Sequence, residues 1–339
     1  MSGSEIAAAG AISRVAPPTA ISLDEIEAAA RDVYAAMAPT PQYAWPLLAQ
    51  RAGREVWLKH ENHTPTGAFK VRGGLHLLAT IARAGATPGI ISATRGNHGQ
   101  SLAFAARQYG IRCVIVVPFG NSTGKNAAMK AFGAELIEFG RDFDEARVHA
   151  AGLAREQGLR FVGPFDRELV AGAATYALEL LRAVDDFDAV YVPIGCGSGI
   201  CGLISARDAL GLATEIVGVV STQANAYAQS FSARRPVETA TANTLADGMA
   251  VRVPVPDALD IIWRGAARIV EVTDGQVEAA MRACYDDAHQ VAEGAGAAAL
   301  AALLAEGDRA GKKAAAILSG GNVDREVYAG VLSSHFPRA

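Results

Sequence analysis

A chain of 339 residues, half of them hydrophobic and 19% charged, is long enough for one large or two medium domains with a substantial interior. A formal net charge of −4 leaves no footprint for nucleic acid or an anionic membrane surface, and every apolar run is interrupted by Gly, Pro or charge before it could span a bilayer. The start of the chain carries Glu5 and lacks a basic segment followed by a long apolar core, and Cys113, Cys196, Cys201 and Cys284 show no CxxC pair or histidine spacing for a metal. A soluble, cytoplasmic protein with buried thiols is expected.

Residues 1–20 are rich in Ala, Ser and Gly, end in Pro17-Pro18, and read as a flexible N-terminal arm. Ser22-Leu-Asp-Glu25 is a capping box that opens a helix to about Met37. Glu55–Glu61 reads as a strand, and a helix from Lys70 to about Ala84 puts Leu75, Leu78 and Ile81 on one side. Strand patterns follow at 89–93, 112–117, 134–139, 160–162, 188–194, 215–221, 268–272 and 313–318. Helical patterns lie between most of them, at 98–109, 125–132, 142–157, 167–184, 199–210, 274–290 and 295–306, with a second capping box at Thr273–Gln276. Short Val/Ile-rich strands alternating with helices specify an α/β protein with mainly parallel sheets covered on both faces, and the number of units implies two sheets. No repeat occurs, and no further module is expected after the last unit.

Four stretches carry chemistry. In Thr66-Gly-Ala-Phe-Lys-Val-Arg-Gly-Gly74 a lysine sits in an apolar, glycine-flanked run behind a strand. Partial desolvation by Phe69 and Val71 lowers the pKa of Lys70 and frees its amine for imine chemistry; the alternative is a plain helix-surface lysine. Ser92-Ala-Thr-Arg-Gly-Asn-His-Gly-Gln100 follows a strand and opens a helix. There Asn97 is placed to donate to a phenolate oxygen, and Thr94 and the turn amides to hold a carboxylate; an ordinary capped loop with a satisfied His98 is the alternative. Gly195-Cys-Gly-Ser-Gly199 between a strand and a helix is a phosphate cup. The run also matches G-x-G-x-x-G through Gly197, Gly199 and Gly202, but the next strand ends in Ser221-Thr-Gln223 without the acid that would hold a ribose, so a phosphate monoester fits better than NAD. Ser319-Gly-Gly-Asn-Val-Asp324 follows the last strand and places Ser319 to face the same crevice; a simple strand-to-turn exit is the alternative. An imine-forming amine, an anion cradle, a phenolate donor and a polar partner for a ring nitrogen together describe a site for pyridoxal 5′-phosphate.

These segments, with Thr244-Leu-Ala-Asp-Gly-Met249 and Glu293-Gly-Ala-Gly-Ala-Ala-Ala299, occur in family order from about residue 40 to 325. The chain resembles the fold-type II pyridoxal-phosphate enzymes of the serine/threonine dehydratase and serine racemase family, whose fold is like the tryptophan synthase β-subunit. The resemblance implies a large cofactor-binding domain of residues 21–75 plus 161–339, a small mobile domain of residues 76–160, and a homodimer. It implies Lys70 as imine-forming lysine and Cα base, Phe69 beside the ring, Asn97 on the cofactor O3′, Gly195, Cys196, Gly197, Ser198 and Gly199 around the phosphate, and Ser319 at the ring nitrogen. Thr94, Arg95, Gly96, Asn97 and His98 would bind the substrate. The implied reaction is dehydration and deamination of a β-hydroxy amino acid to a 2-oxo acid and ammonia.

Three departures qualify this. Ala68 replaces the family's usual serine before the Phe-Lys pair, and Val219–Tyr227 lacks the acidic metal ligands of some relatives, so no divalent cation is expected there. Arg95 stands where dehydratases have alanine or serine and where the racemase has the serine that serves the opposite substrate face. Its guanidinium is expected either to contact a group beyond the β-carbon, as in 3-hydroxyaspartate, phenylserine or a hydroxyectoine-derived substrate, or to form an interdomain ion pair. An amino-acid racemase of the same fold, a nicotinamide-dependent oxidoreductase and a non-catalytic amino-acid sensor remain as alternatives.

Overall fold

The computed structural model describes residues 21–333, so the expected arm over residues 1–20 lies outside the described residues. The chain builds strands β1 (Gln42–Ala44), β2 (Glu55–His60), β3 (Ile90–Ala93), β4 (Cys113–Val117) and β5 (Glu135–Glu138). They are followed by β6 (Arg160–Phe161), β7 (Ala189–Pro193), β8 (Glu215–Ser221), β9 (Arg268–Val272) and β10 (Lys313–Leu318). A six-stranded sheet has the order β1-β2-β10-β7-β8-β9, and a four-stranded sheet the order β5-β4-β3-β6. All neighbours are parallel except β1 with β2. The smaller sheet is built from residues that lie between β2 and β7 in the chain.

Period-two alternation sends the strand residues to opposite cores. In the large sheet Val190, Val192, Ala315 and Ile317 face a core shared with Ile26 and with the helices Arg167–Ala183, Ser198–Ala209 and Pro256–Gly265. Their neighbours Ala189, Tyr191, Ala314, Ala316 and Leu318 face the helices Asp274–Ala288 and Gly294–Glu306. The second of these helices is buried from Gly294 to Leu303, as expected of a helix that is apolar all round. In the small sheet Ile90, Ile115 and Val117 meet Leu75, Leu78 and Ile81 of the helix Lys70–Ala84, while Ile91, Val114 and Val116 meet Ala146, Ala150 and Ala154 of Phe143–Gln157. Each fully buried Val, Leu or Ile contributes about 1.5–3 kcal/mol relative to exposure, so both faces of both sheets are held by the same effect.

Both capping boxes form, Ser22 with Glu25 and Thr273 with Gln276. The sequence reading has no counterpart for β1 or for the helices Pro46–Ala52, Ala226–Ala233, Pro256–Gly265 and Arg325–Ser333. Arg234 and Arg235, which read as a solvated turn, are exposed in a turn that follows the helix Ala226–Ala233; Arg234 adopts a left-handed conformation there and donates to the Trp263 carbonyl at 2.9 Å. Among the described residues no helix is long and apolar enough to cross a membrane.

Candidate active site

Strands β2, β10 and β7 are neighbours, so the segments leaving their carboxyl ends lie side by side. These are the approach to Lys70, the run from Ser319 and the glycine run from Gly195. The turn after β3 faces them across the gap between the sheets. A cavity of about 600 Å³ lies there, lined by Phe69–Lys70, Thr94–His98, Gly195–Gly199 and Ser319, so every site residue expected from the sequence shares one cavity.

The backbone before Lys70 is stitched to the β10 exit. Phe69 donates its amide to the Ser319 carbonyl at 3.0 Å, Gly321 donates to the Gly67 carbonyl at 2.9 Å, and Ala68 bridges Gly320. Lys70 is therefore the first residue of a helix whose start is fixed by the large sheet. Its Nζ donates to Ser198 Oγ at 2.9 Å and lies 5.2 Å from the Phe69 ring centre. Burial pushes its pKa below the ordinary lysine range.

The glycine run is shaped for a group with no room for side chains. At Gly197 φ is +98°, and an added Cβ there would sit 2.6 Å from Ala258 Cβ. One at Gly195 would sit 2.3 Å from the Gly248 carbonyl oxygen. Gly197 caps the helix Ser198–Ala209 without a side-chain acceptor, which leaves its first amides to an anion. The Asn97–Gln108 helix opposite is likewise uncapped by a side chain. These features fit a phosphorylated aldehyde: a cradle for its phosphate, a desolvated amine beside it, and Ser319, whose hydroxyl donates to Ala295 at 3.3 Å, in the cavity wall.

Across the cavity Gly96 donates to Thr94 Oγ1 at 3.1 Å, which tightens the turn. His98 is buried, with its ring beside the Val162 and Gly163 backbone and no hydrogen bond of full geometry to it. Burial, then the Lys70 charge, push its imidazole down to about 3. Between pH 6.5 and about 3 the unfolded chain binds a proton at this histidine that the folded chain does not, so stability falls as pH falls through that window. His98→Asn should flatten the slope of unfolding free energy against pH there by roughly 1.4 kcal/mol per unit, measured by urea titration at fixed cofactor concentration. An unchanged slope would show that His98 is charged in the folded state. Arg95 is exposed on the cavity, and its guanidinium has no hydrogen bond or ion pair to any described residue, so the interdomain ion pair is not formed.

Sequence reasoning missed a charged group in the wall. Lys125, from the helix Thr123–Ala131, donates to Asp247 Oδ2 at 2.6 Å and to Glu293 Oε2 at 3.3 Å. Against the lowering effect of burial, the Glu293 and Asp247 carboxylates hold its ammonium above the ordinary range. Burial pushes Glu293 up, opposed by Lys125. A signal existed at Gly96, where an added Cβ would lie 2.4 Å from Lys125 Cδ, but a glycine does not say which side chain it makes room for.

Residues 33–320 match the family described as pyridoxal-phosphate dependent enzyme. The chain is similar to the catabolic L-threonine dehydratase TdcB of Staphylococcus aureus, with 34% identity over 318 residues and 92% of each chain covered. Among solved structures it is similar to maize serine racemase, with a TM-score of 0.87, 26% identity and 94% and 98% of the two chains covered. It is also similar to the processed form of threonine deaminase isoform 2 from Solanum lycopersicum, with a TM-score of 0.86, 28% identity and 95% and 99% covered.

Proposed function

The chain belongs to the family of pyridoxal-phosphate-dependent enzymes, and from that premise we propose that it dehydrates and deaminates a β-hydroxy amino acid carrying a second acidic group, releasing a 2-oxo acid and ammonia. The observation that carries the reading is the desolvated Lys70 amine beside a glycine cradle, facing a turn whose free guanidinium, Arg95, has no protein partner among the described residues. When bound, pyridoxal phosphate supplies an aldehyde that condenses with amines and a ring that accepts the electron pair released at Cα.

The protein supplies the rest. The amides of Gly195–Gly199 would hold the phosphate at the helix end, and Asn97 would donate to the phenolate oxygen. Ser319 would meet the ring nitrogen with an uncharged group that does not hold it protonated, which would favour loss of a β-substituent over transamination. The turn amides of Thr94–His98 grip the substrate carboxylate. Lys70, its pKa lowered by burial, would take the Cα proton. Residues 76–160 close over the substrate and exclude water from the proton transfer. Contacts that support such closure are Lys125 with Asp247, Ser122 Oγ with Asp324 at 2.8 Å, and the ion pair of Arg252 with Asp144.

Release of 2-oxo acid and ammonia by the cofactor-loaded protein tests the reading, with serine, threonine, threo- and erythro-3-hydroxyaspartate, phenylserine and hydroxyectoine-derived amino acids compared. A diacid should be used above threonine. Arg95→Ala should lower kcat/KM for the diacid roughly 10- to 150-fold, the worth of one charge-assisted contact, and leave threonine nearly unchanged. Preference for threonine with no effect of Arg95→Ala would remove the second acidic group from the proposal. A better phenylserine turnover would give Arg95 an aromatic partner instead.

A further inference from the structure

Among the carboxylates that line the cavity, Glu293 is the one that is buried, at 3% exposure, and nothing in the roles above uses it. It ends a chain of hydrogen bonds that begins beside Lys70. The Thr66 carbonyl can only accept, and Asn322 Nδ2 lies 2.8 Å from it, which settles the direction of the Asn322 amide. The same nitrogen donates to Asn97 Oδ1 at 2.9 Å. Asn97 Nδ2 then donates to Glu293 Oε1 at 2.5 Å. The other oxygen of Glu293 accepts from Lys125. Asn97 is thus held at both ends, its oxygen by a donor and its nitrogen by an acceptor. One of its two N–H groups is taken by Glu293, which leaves the other for the cavity.

We propose that Glu293 is a positioning residue: clamped by Lys125, it accepts one N–H of Asn97 and thereby turns the other toward the phenolate oxygen of the bound cofactor. The proposal rests on the cofactor-binding role given to Asn97 above. It also explains why a carboxylate, and not its amide, stands here. Lys125 requires an acceptor, so in Glu293→Gln the carbonyl would face Lys125 and the amide nitrogen would face Asn97. Two donors would then meet, and the Asn97 amide would be displaced or reversed.

The titration of the visible absorption band of the cofactor-loaded protein reports the phenolate environment and needs no turnover. Loss of the Asn97 donor makes the phenolate more basic and raises the midpoint, whereas loss of the Glu293 charge by itself lowers it. A double-mutant cycle with Asn97→Ala separates the two. Glu293→Gln should shift the midpoint upward, relative to its own effect in the Asn97→Ala background, by about half a pH unit or more. Equal shifts in both backgrounds would mean that Glu293 acts through its charge alone, and the proposal fails. Should Glu293→Gln not load cofactor, Glu293→Asp asks the same question, since it keeps the charge but withdraws the acceptor from Asn97 Nδ2; equal shifts there overturn the proposal likewise. A protein with the visible band and a non-zero coupling but no elimination supports the positioning role and defeats the dehydratase reading. Turnover with zero coupling does the reverse.

Discussion

Lys70→Ala is expected to abolish elimination, lowering kcat by roughly 10⁴-fold or more, the upper range for one acid–base group, because in the proposed function the same amine would also form the covalent link to the cofactor. The fold should survive the change. Lys70 Nζ makes one hydrogen bond, to Ser198 Oγ, and its ammonium is disfavoured by burial, so little stabilisation is lost when it is removed. The helix start itself is held by backbone bonds of Phe69 and Gly321 that a side-chain truncation leaves in place. The variant should still take up cofactor through the Gly195–Gly199 amides, without the visible band of the wild type. Lys70→Arg separates charge from nucleophilicity: it keeps a cation but one that does not deprotonate or condense at neutral pH. Oxo-acid release measured beside the absorbance spectrum checks all of this. Turnover that persists in Lys70→Ala would remove the lysine from the mechanism.

The central strands were legible because Val/Ile-rich runs separated by glycine-punctuated helices leave one architecture open, and β3, β4, β7, β8 and β10 lie within a residue or so of their expected bounds. The short edge strand β1 was not, since Gln42-Tyr-Ala44 has no alternation to read. The helix Pro256–Gly265 left a cue, a proline in its first turn followed by Asp257, that went unused. In the site, the segments at strand ends were readable because glycines and polar residues there have few other uses. The third glycine of the G-x-G-x-x-G match has a packing role: a Cβ on Gly202 would lie 2.7 Å from the Ala174 amide nitrogen, so it lets two helices approach. Lys125 and Glu293 were not readable. They are 168 residues apart: Lys125 lies in an ordinary local pattern, and the segment that starts at Glu293 was singled out only as a family match without a role for its carboxylate, so only the folded arrangement brings the two together.

Arg72→Met should destabilise the protein by about 3–5 kcal/mol, the cost of leaving buried carboxylates without their cation. Arg72 lies two residues after Lys70 and is fully buried. Its Nε and Nη2 bind Glu61 at 2.6 and 2.9 Å, and its Nη1 and Nη2 bind Glu179 at 2.6 and 2.9 Å. Thr175 Oγ1 accepts the remaining Nη1 donor at 3.0 Å, and Thr40 Oγ1, 3.2 Å from Nη2, shares that nitrogen's two hydrogens with the carboxylates. Lys59, also buried, reaches Glu179 at 2.5 Å, so two cations face two carboxylates. The cluster ties the first turn of the Lys70 helix to β2, to the short turn Glu61–His63 and to the helix Arg167–Ala183. Without Arg72 a single lysine faces both acids, and at least one must protonate. Arg72→Lys should cost less than Arg72→Met but more than a surface change, because an ammonium cannot reproduce the planar fork that meets both carboxylates. Adding Glu61→Gln and Glu179→Gln to Arg72→Met should recover part of the loss, since the penalty lies in the unpaired charges rather than in a missing attraction. Urea unfolding of the four proteins reads these differences directly. A loss below about 1 kcal/mol in Arg72→Met, in the range of an exposed ion pair, would show that water reaches the cluster in solution and that it does not anchor the lysine.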